Sequence, residues 1–239
     1  MSRFRLIGVV SAVLLIGMTT AGSAQGAQVK NGNFEKGNFK NWETRNSDAG
    51  TLKRGMISSN RWRLYTKKTR SVGKTISSLA YARGGSPGIR LPKPKGKYSP
   101  FIDMNGPGHN VLYRTLKVPS NAETLKLKAF WHNDAGEWHF GGSFLNPTDG
   151  DQYFSIDLLD RKADPESAKK GDVLENIYSP KPKPFNPDPP RASSKFVSSW
   201  KGYKANVKKY RGDKVTLRLV EVDTLSFNYV GIDNVKFGK

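Results

Sequence analysis

The chain has no cysteine. That excludes a disulfide framework, a thiolate zinc site, a thiol nucleophile and a lipid anchor on an N-terminal cysteine. Helix signals are nearly as scarce, and only Pro165 to Lys170 has the composition for a turn or so. Catalytic signatures are also missing. His109, His132 and His139 show no His-Glu-x-x-His spacing, and there is neither a Gly-x-Ser-x-Gly elbow nor a phosphate-binding glycine loop. Acid is absent from one long stretch: between Asp48 and Asp103 there is none, against 13 basic residues.

The 239 residues suffice for one large domain with its own core. Hydrophobic residues make up 36% and charged residues 25%, a balance that favours folding over disorder. The 24 glycines and 14 prolines favour turns and short strands. Forty basic residues against 20 acidic ones give a net charge of +20. Seven further basic residues crowd Lys195–Lys214 beside one acid, Asp213, while the acids gather between Asp149 and Glu175. Segregation of sign on this scale creates a field that attracts polyanions; lysines spread for solubility are the blander alternative.

Residues 1–27 read as a secretory signal peptide. Arg3 and Arg5 open it, Leu6–Met18 is an apolar run of 13, and small residues follow to Ala24. The run is shorter than the ~20 residues a membrane span needs, and no second such run follows. The expected mature protein is secreted, extracellular and without a transmembrane segment. Losing this leader removes two basic residues and no acid, which leaves a charge of +18. One domain over 28–239 is the simplest organisation. Six prolines between Pro180 and Pro190 predict an extended surface loop over 180–190.

Period-two alternation predicts strands at Val111–Val118, Leu125–His132, Tyr153–Leu159, Val215–Val222 and Tyr229–Phe237. Short strands between Gly, Pro, Asn and Asp clusters predict an all-β fold, an antiparallel β-sandwich.

Four motifs add to this. Val29-Lys-Asn-Gly-Asn-Phe-Glu35, with Gly37 and Trp42, resembles the opening strand of galactose-binding-like jelly-roll domains, which include carbohydrate-binding modules of secreted bacterial proteins. Gly231-Ile-Asp-Asn-Val235 resembles their closing strand. Asp151–Asp160 is similar to a mid-domain strand, and Trp200 with Tyr210–Leu219 and Glu221 to the pair before the close. The resemblance implies a jelly roll over the whole mature chain, with Trp42 and Trp200 in the core. It also implies a structural calcium where the first and last strands meet. Glu35 and Asp233 would supply carboxylates, and the turn at Arg83 and Gly84 backbone carbonyls; a hard cation takes six to eight such oxygens.

Sugar sites pair flat rings with a few polar groups. The candidate rings are Trp62, Tyr65, Trp131, Trp138, Phe140 and Tyr229. In Arg61-Trp62-Arg63, with Tyr65 close by, two cations flank an indole, which suits an acidic glycan. The same alternation also fits Trp62 in the core with both arginines in water. Trp138 follows Gly136, which places it in an expected exposed loop. The expected function is therefore a non-catalytic, secreted binder of an anionic or cell-envelope polysaccharide. The alternatives are a surface or adhesion protein held on anionic envelope polymers by charge, and a glycan-active hydrolase or lyase. Trp131–His139 does gather two His, one Asp and one Glu, but a strand end and polar turn explain it. Nucleic acid finds no recognised motif here.

Overall fold

The computed structural model describes residues 27–46, 62–69, 71–72, 89–104, 108–133, 152–180, 198–223 and 228–239. The residues before Ala27, expected to form a signal peptide, and the proline-rich stretch after Pro180 lie outside them. Among the described residues no helix is long and apolar enough to cross a membrane.

Five long strands form where alternation places them: β6 (Gly108–Lys117), β7 (Thr124–Asn133), β8 (Gln152–Asp160), β11 (Lys214–Asp223) and β12 (Asn228–Gly238). Shorter ones are β1 (Glu43–Asn46), β2 (Arg63–Tyr65), β3 (Ser71–Val72), β4 (Ile89–Arg90), β5 (Ser99–Met104), β9 (Val173–Tyr178) and β10 (Lys201–Asn206). Sheet I runs β1-β6-β11-β8-β9 and sheet II runs β10-β7-β12-β5-β2, all neighbours antiparallel. The expected antiparallel sandwich is the fold.

The two inner faces share one core. Leu125, Leu127 and Ala129 on β7, with Val230 and Ile232 on β12, meet Phe154, Ile156 and Leu158 on β8 and Leu217 and Leu219 on β11. All are essentially inaccessible, and each large one contributes about 1.5–3 kcal/mol by leaving water. Trp42 joins them as the resemblance implies, packed 5.0 Å from Phe34.

The opening segment departs from expectation. Val29–Glu35 is a run of turns rather than a strand, because Asn31 and Phe34 take φ of 53° and 55° in the left-handed region. Its pairing with β12 is limited to a bridge at Gln28 and Lys236, with Phe237 donating to the Ala27 carbonyl and Val235 to that of Gly32. β12 bulges between Asp233 and Lys236 at the same place.

Trp200 is not in the central core either. It lies half-buried on the outer face of sheet II, edge-on to Phe130 at 4.7 Å, within an apolar layer of Tyr65, Leu91, Phe101 and Tyr229. The segment after β4 crosses this layer: Tyr65 donates its hydroxyl to the Pro92 carbonyl and Trp200 its indole N–H to that of Lys93. Gly231 is the spacer beneath. A Cβ there would come within 2.1 Å of the Phe130 ring, which Trp200 and Tyr65 hold from both sides. Gly231→Ala is expected to destabilise by about 1–3 kcal/mol through overpacking, lowering the urea midpoint without altering its steepness. An unchanged midpoint would show the ring free to move.

The outer face of sheet I carries a buried ion pair. Arg218 on β11 reaches Asp157 on β8 at 2.9 Å, and both are almost inaccessible. The same guanidinium donates to the carbonyls of Pro165 and Ser167, tying the Arg161–Asp172 turn segment over the sheet.

Candidate functional site: a cationic face beside a carboxylate pair

Register decides what the outer face of sheet II presents. On β7 the outward positions are Lys126, Lys128 and Phe130. Pairing sets Lys204 and Gly202 of β10 opposite Lys126 and Lys128, and Lys236 and Asp233 of β12 opposite them on the other side. One end of this face therefore holds Lys126, Lys128, Lys204 and Lys236, bordering a hollow of about 290 Å³. Gly202 leaves its centre open, since a methyl group there would meet no heavy atom within 4 Å. Among the described residues none of the four lysines is in an ion pair. Lys95 joins the group. Its ammonium beside Lys128 holds that side chain below the ordinary lysine range, desolvation adds to the shift, the negative charge of Asp233 opposes it, and Lys236 pushes it further down.

The carboxylates lie one step along the face. Asp233, 3% exposed, accepts from the Ser99 hydroxyl at 3.0 Å and the Asn234 N–H at 2.6 Å. Burial pushes its carboxyl up to about 6 against those two hydrogen bonds, and the negative charge of Glu35 adds to the rise. Glu35 comes from the opening turns and accepts the Lys97 N–H at 2.8 and 3.0 Å. Gly96 makes room for it, because a Cβ there would sit 1.8 Å from its Oε1. Glu35, 198 positions away in sequence, thus comes within electrostatic reach of Asp233. As donors they suit a hard cation in kind and charge, but fill only part of its shell. Arg83 and Gly84, the expected carbonyl donors, lie outside the described residues.

Among the described residues, the expected binding rings Trp62 and Tyr65 are buried. Trp62 is 6% exposed and packs in the central core, the alternative that alternation left open. Tyr65 is 1% exposed beneath Pro92. Neither can offer a face to a sugar. Arg63 is exposed on edge strand β2, opposite Phe101 and away from the lysines. Arg61, Trp138 and Phe140 lie outside the described residues. Of the other rings, Tyr229 is buried and Trp131 is half-buried, with the Lys201 ammonium 5.6 Å from its centroid. No three His, Asp or Glu side chains gather into a metal-type cluster among the described residues. The lysines escaped the sequence reading although β7 alternation shows Lys126 and Lys128 on one face, because Lys204 and Lys236 join them only through register.

No protein-family model matches the sequence, and no curated protein matches it. Solved structures of similar outline exist. A family 61 carbohydrate-binding module in complex with β-1,4-galactotriose is 10% identical, with 90% of this chain and 99% of that one covered and a TM-score of 0.46. The K3 cleaved adhesin domain of Lys-gingipain from Porphyromonas gingivalis is 13% identical, with 89% and 99% covered and a TM-score of 0.47. A family 11 carbohydrate-binding module from Clostridium thermocellum, in complex with a β-1,3-1,4-mixed-linked tetrasaccharide, is 13% identical, with 90% and 96% covered and a TM-score of 0.36.

Proposed function

We propose that this chain is an exported, non-catalytic carbohydrate-binding protein that holds an acidic polysaccharide against the outer face of sheet II. The observation that carries the reading is the lysine hollow: four ammonium groups from three adjacent strands around an open glycine, none of them ion-paired. Like charges on neighbouring strands repel, and Lys95 and Lys236 both push Lys128 below the ordinary lysine range. An anion relieves that repulsion, and a polymer with regularly spaced carboxylates or sulfates relieves several charges at once. The polymer class follows from the resemblance of the strand motifs to carbohydrate-binding modules. Calcium fits beside this face: Glu35 and Asp233 would hold it, and it would clip the opening turns to the last strand.

The burial of Trp62 and Tyr65 favours a second reading, attachment to anionic envelope polymers by charge without sugar recognition. Immobilised polygalacturonate and a neutral galactan, each at low and high salt, separate the two. The first reading expects preference for polygalacturonate and residual binding at high salt. Complete loss at high salt would mean charge alone. In either case Lys126→Ala/Lys204→Ala/Lys236→Ala is expected to weaken binding about ten-fold, since each exposed ion pair contributes about 0.2–1 kcal/mol. Undiminished binding by this variant would remove the lysine face from the account.

A further inference from the structure

We infer a second anion subsite at the same end of the sandwich, on sheet I, which makes the ligand a chain long enough to reach both. The inference rests on the acidic-polysaccharide reading above. A hollow of about 570 Å³ is bordered by Lys117, Arg161, Lys162 and Lys214. Lys117 closes β6 and pairs with Lys214, which opens β11; Arg161 and Lys162 follow directly on β8. Among the described residues none of these four cations is in an ion pair. Two acids, Asp160 and Asp213, also border the hollow, so cations outnumber carboxylates there by four to two. Asp160 is turned to its own loop, where it accepts the Lys162 N–H at 2.8 Å. The half-buried Tyr210 ring adds an apolar wall.

The two hollows belong to one end of the molecule. Lys117 ends β6, Lys126 stands near the start of β7, and only the short Val118–Glu123 link separates these strands. Glu123, the acid on that link, is neutralised by Lys208 at 3.3 Å and Arg211 at 3.4 Å. Cationic side chains thus continue around the end from Lys204 and Lys236 to Lys214 and Lys162, with no unpaired acid on the link. Packed sheets lie about 10 Å apart. Lys117 and Lys214 point away from the core, as Lys126 does, so the hollows are farther apart than the sheets. A single sugar unit reaches one and only a polymer reaches both. The ligand class is a carboxylated or sulfated polysaccharide. The lysines act as point charges, and Arg161 offers a planar fork to one acid group.

Titration calorimetry with a short and a long oligogalacturonide tests this on the mature protein. The short one is expected to bind at two equivalents, and at one in Lys117→Ala/Lys162→Ala/Lys214→Ala. The long one is expected to bind wild type about 100-fold more tightly than the short one, an advantage that falls to about ten-fold or less in the variant. All three positions are exposed, and Lys117→Arg/Lys162→Arg/Lys214→Arg should retain wild-type behaviour. One equivalent of the short ligand in wild type, with long-ligand affinity unmoved by the alanine substitutions, would overturn the second subsite and leave the first standing. Absence of binding by either oligogalacturonide would overturn both.

Discussion

Arg218→Ala is expected to cost about 3–5 kcal/mol of folding stability, the largest single loss predicted for the described residues. The guanidinium is 1% exposed and makes two hydrogen bonds to Asp157 and two to the carbonyls of Pro165 and Ser167. Truncation leaves the Asp157 carboxylate buried, with only Ser155 and Asn176 as donors. A buried charge without its counter-ion is far more costly than the net value of the pair. The double variant Arg218→Met/Asp157→Asn should therefore recover much of the loss, since it removes both charges together. Urea unfolding measures both. A loss below about 1 kcal/mol in the single variant would mean that the site hydrates on truncation. The turn segment that Arg218 ties down begins with Arg161 and Lys162, so the same substitution should also weaken the second anion hollow.

Asp233 gives the next largest effect, and its sign depends on calcium. In metal-free protein its carboxyl titrates at about 6, above the 3.8 of an unperturbed aspartate. The folded state then binds this proton more tightly than the unfolded state does. Its contribution to stability is full below about pH 4 and is lost as pH rises through 6. Metal-free protein should gain on the order of 2 kcal/mol on acidification from pH 7 to 4 through this group. Calcium should act in the opposite sense. At a hundred times its Kd it adds about 2.7 kcal/mol at pH 7, a Tm rise of several degrees, and the gain should fade as protons compete below pH 6. Asp233→Asn should abolish both behaviours. Equal Tm with chelator and with calcium at pH 7 would exclude a structural cation here.

The strands were legible because alternation is a local property. Leu125, Leu127 and Ala129 show their face without reference to any partner. Val29–Glu35 misled for an equally local reason. Asn31 and Phe34 sit at positive φ, which Asn-Gly-Asn permits and which an extended reading ignores. Trp62 shows the limit of alternation itself. The pattern Arg61-Trp62-Arg63 says that ring and cations face opposite ways, but not which side is the core. That Glu35 acts electrostatically on Asp233 has no local signal, since 198 positions separate them; only the family resemblance pairs the two. The lysine hollow needed strand register, and single-chain patterning carries no signal for Lys204 opposite Lys126.

The seam between the opening turns and β12 has a mechanical consequence. Ala27 lies against Phe237, Gln28 against Lys236 and Gly32 against Val235, so both ends of the described chain leave from one corner. Tension applied between residues 27 and 239 would open these few hydrogen bonds one after another, as a zipper opens, while loading the end of β12 against β7 at the same corner. A tether to a host surface through one end alone would leave the seam unstressed. A tether through both ends would make it the force-limiting element of the domain, and a cation bridging Glu35 and Asp233 would be its rivet.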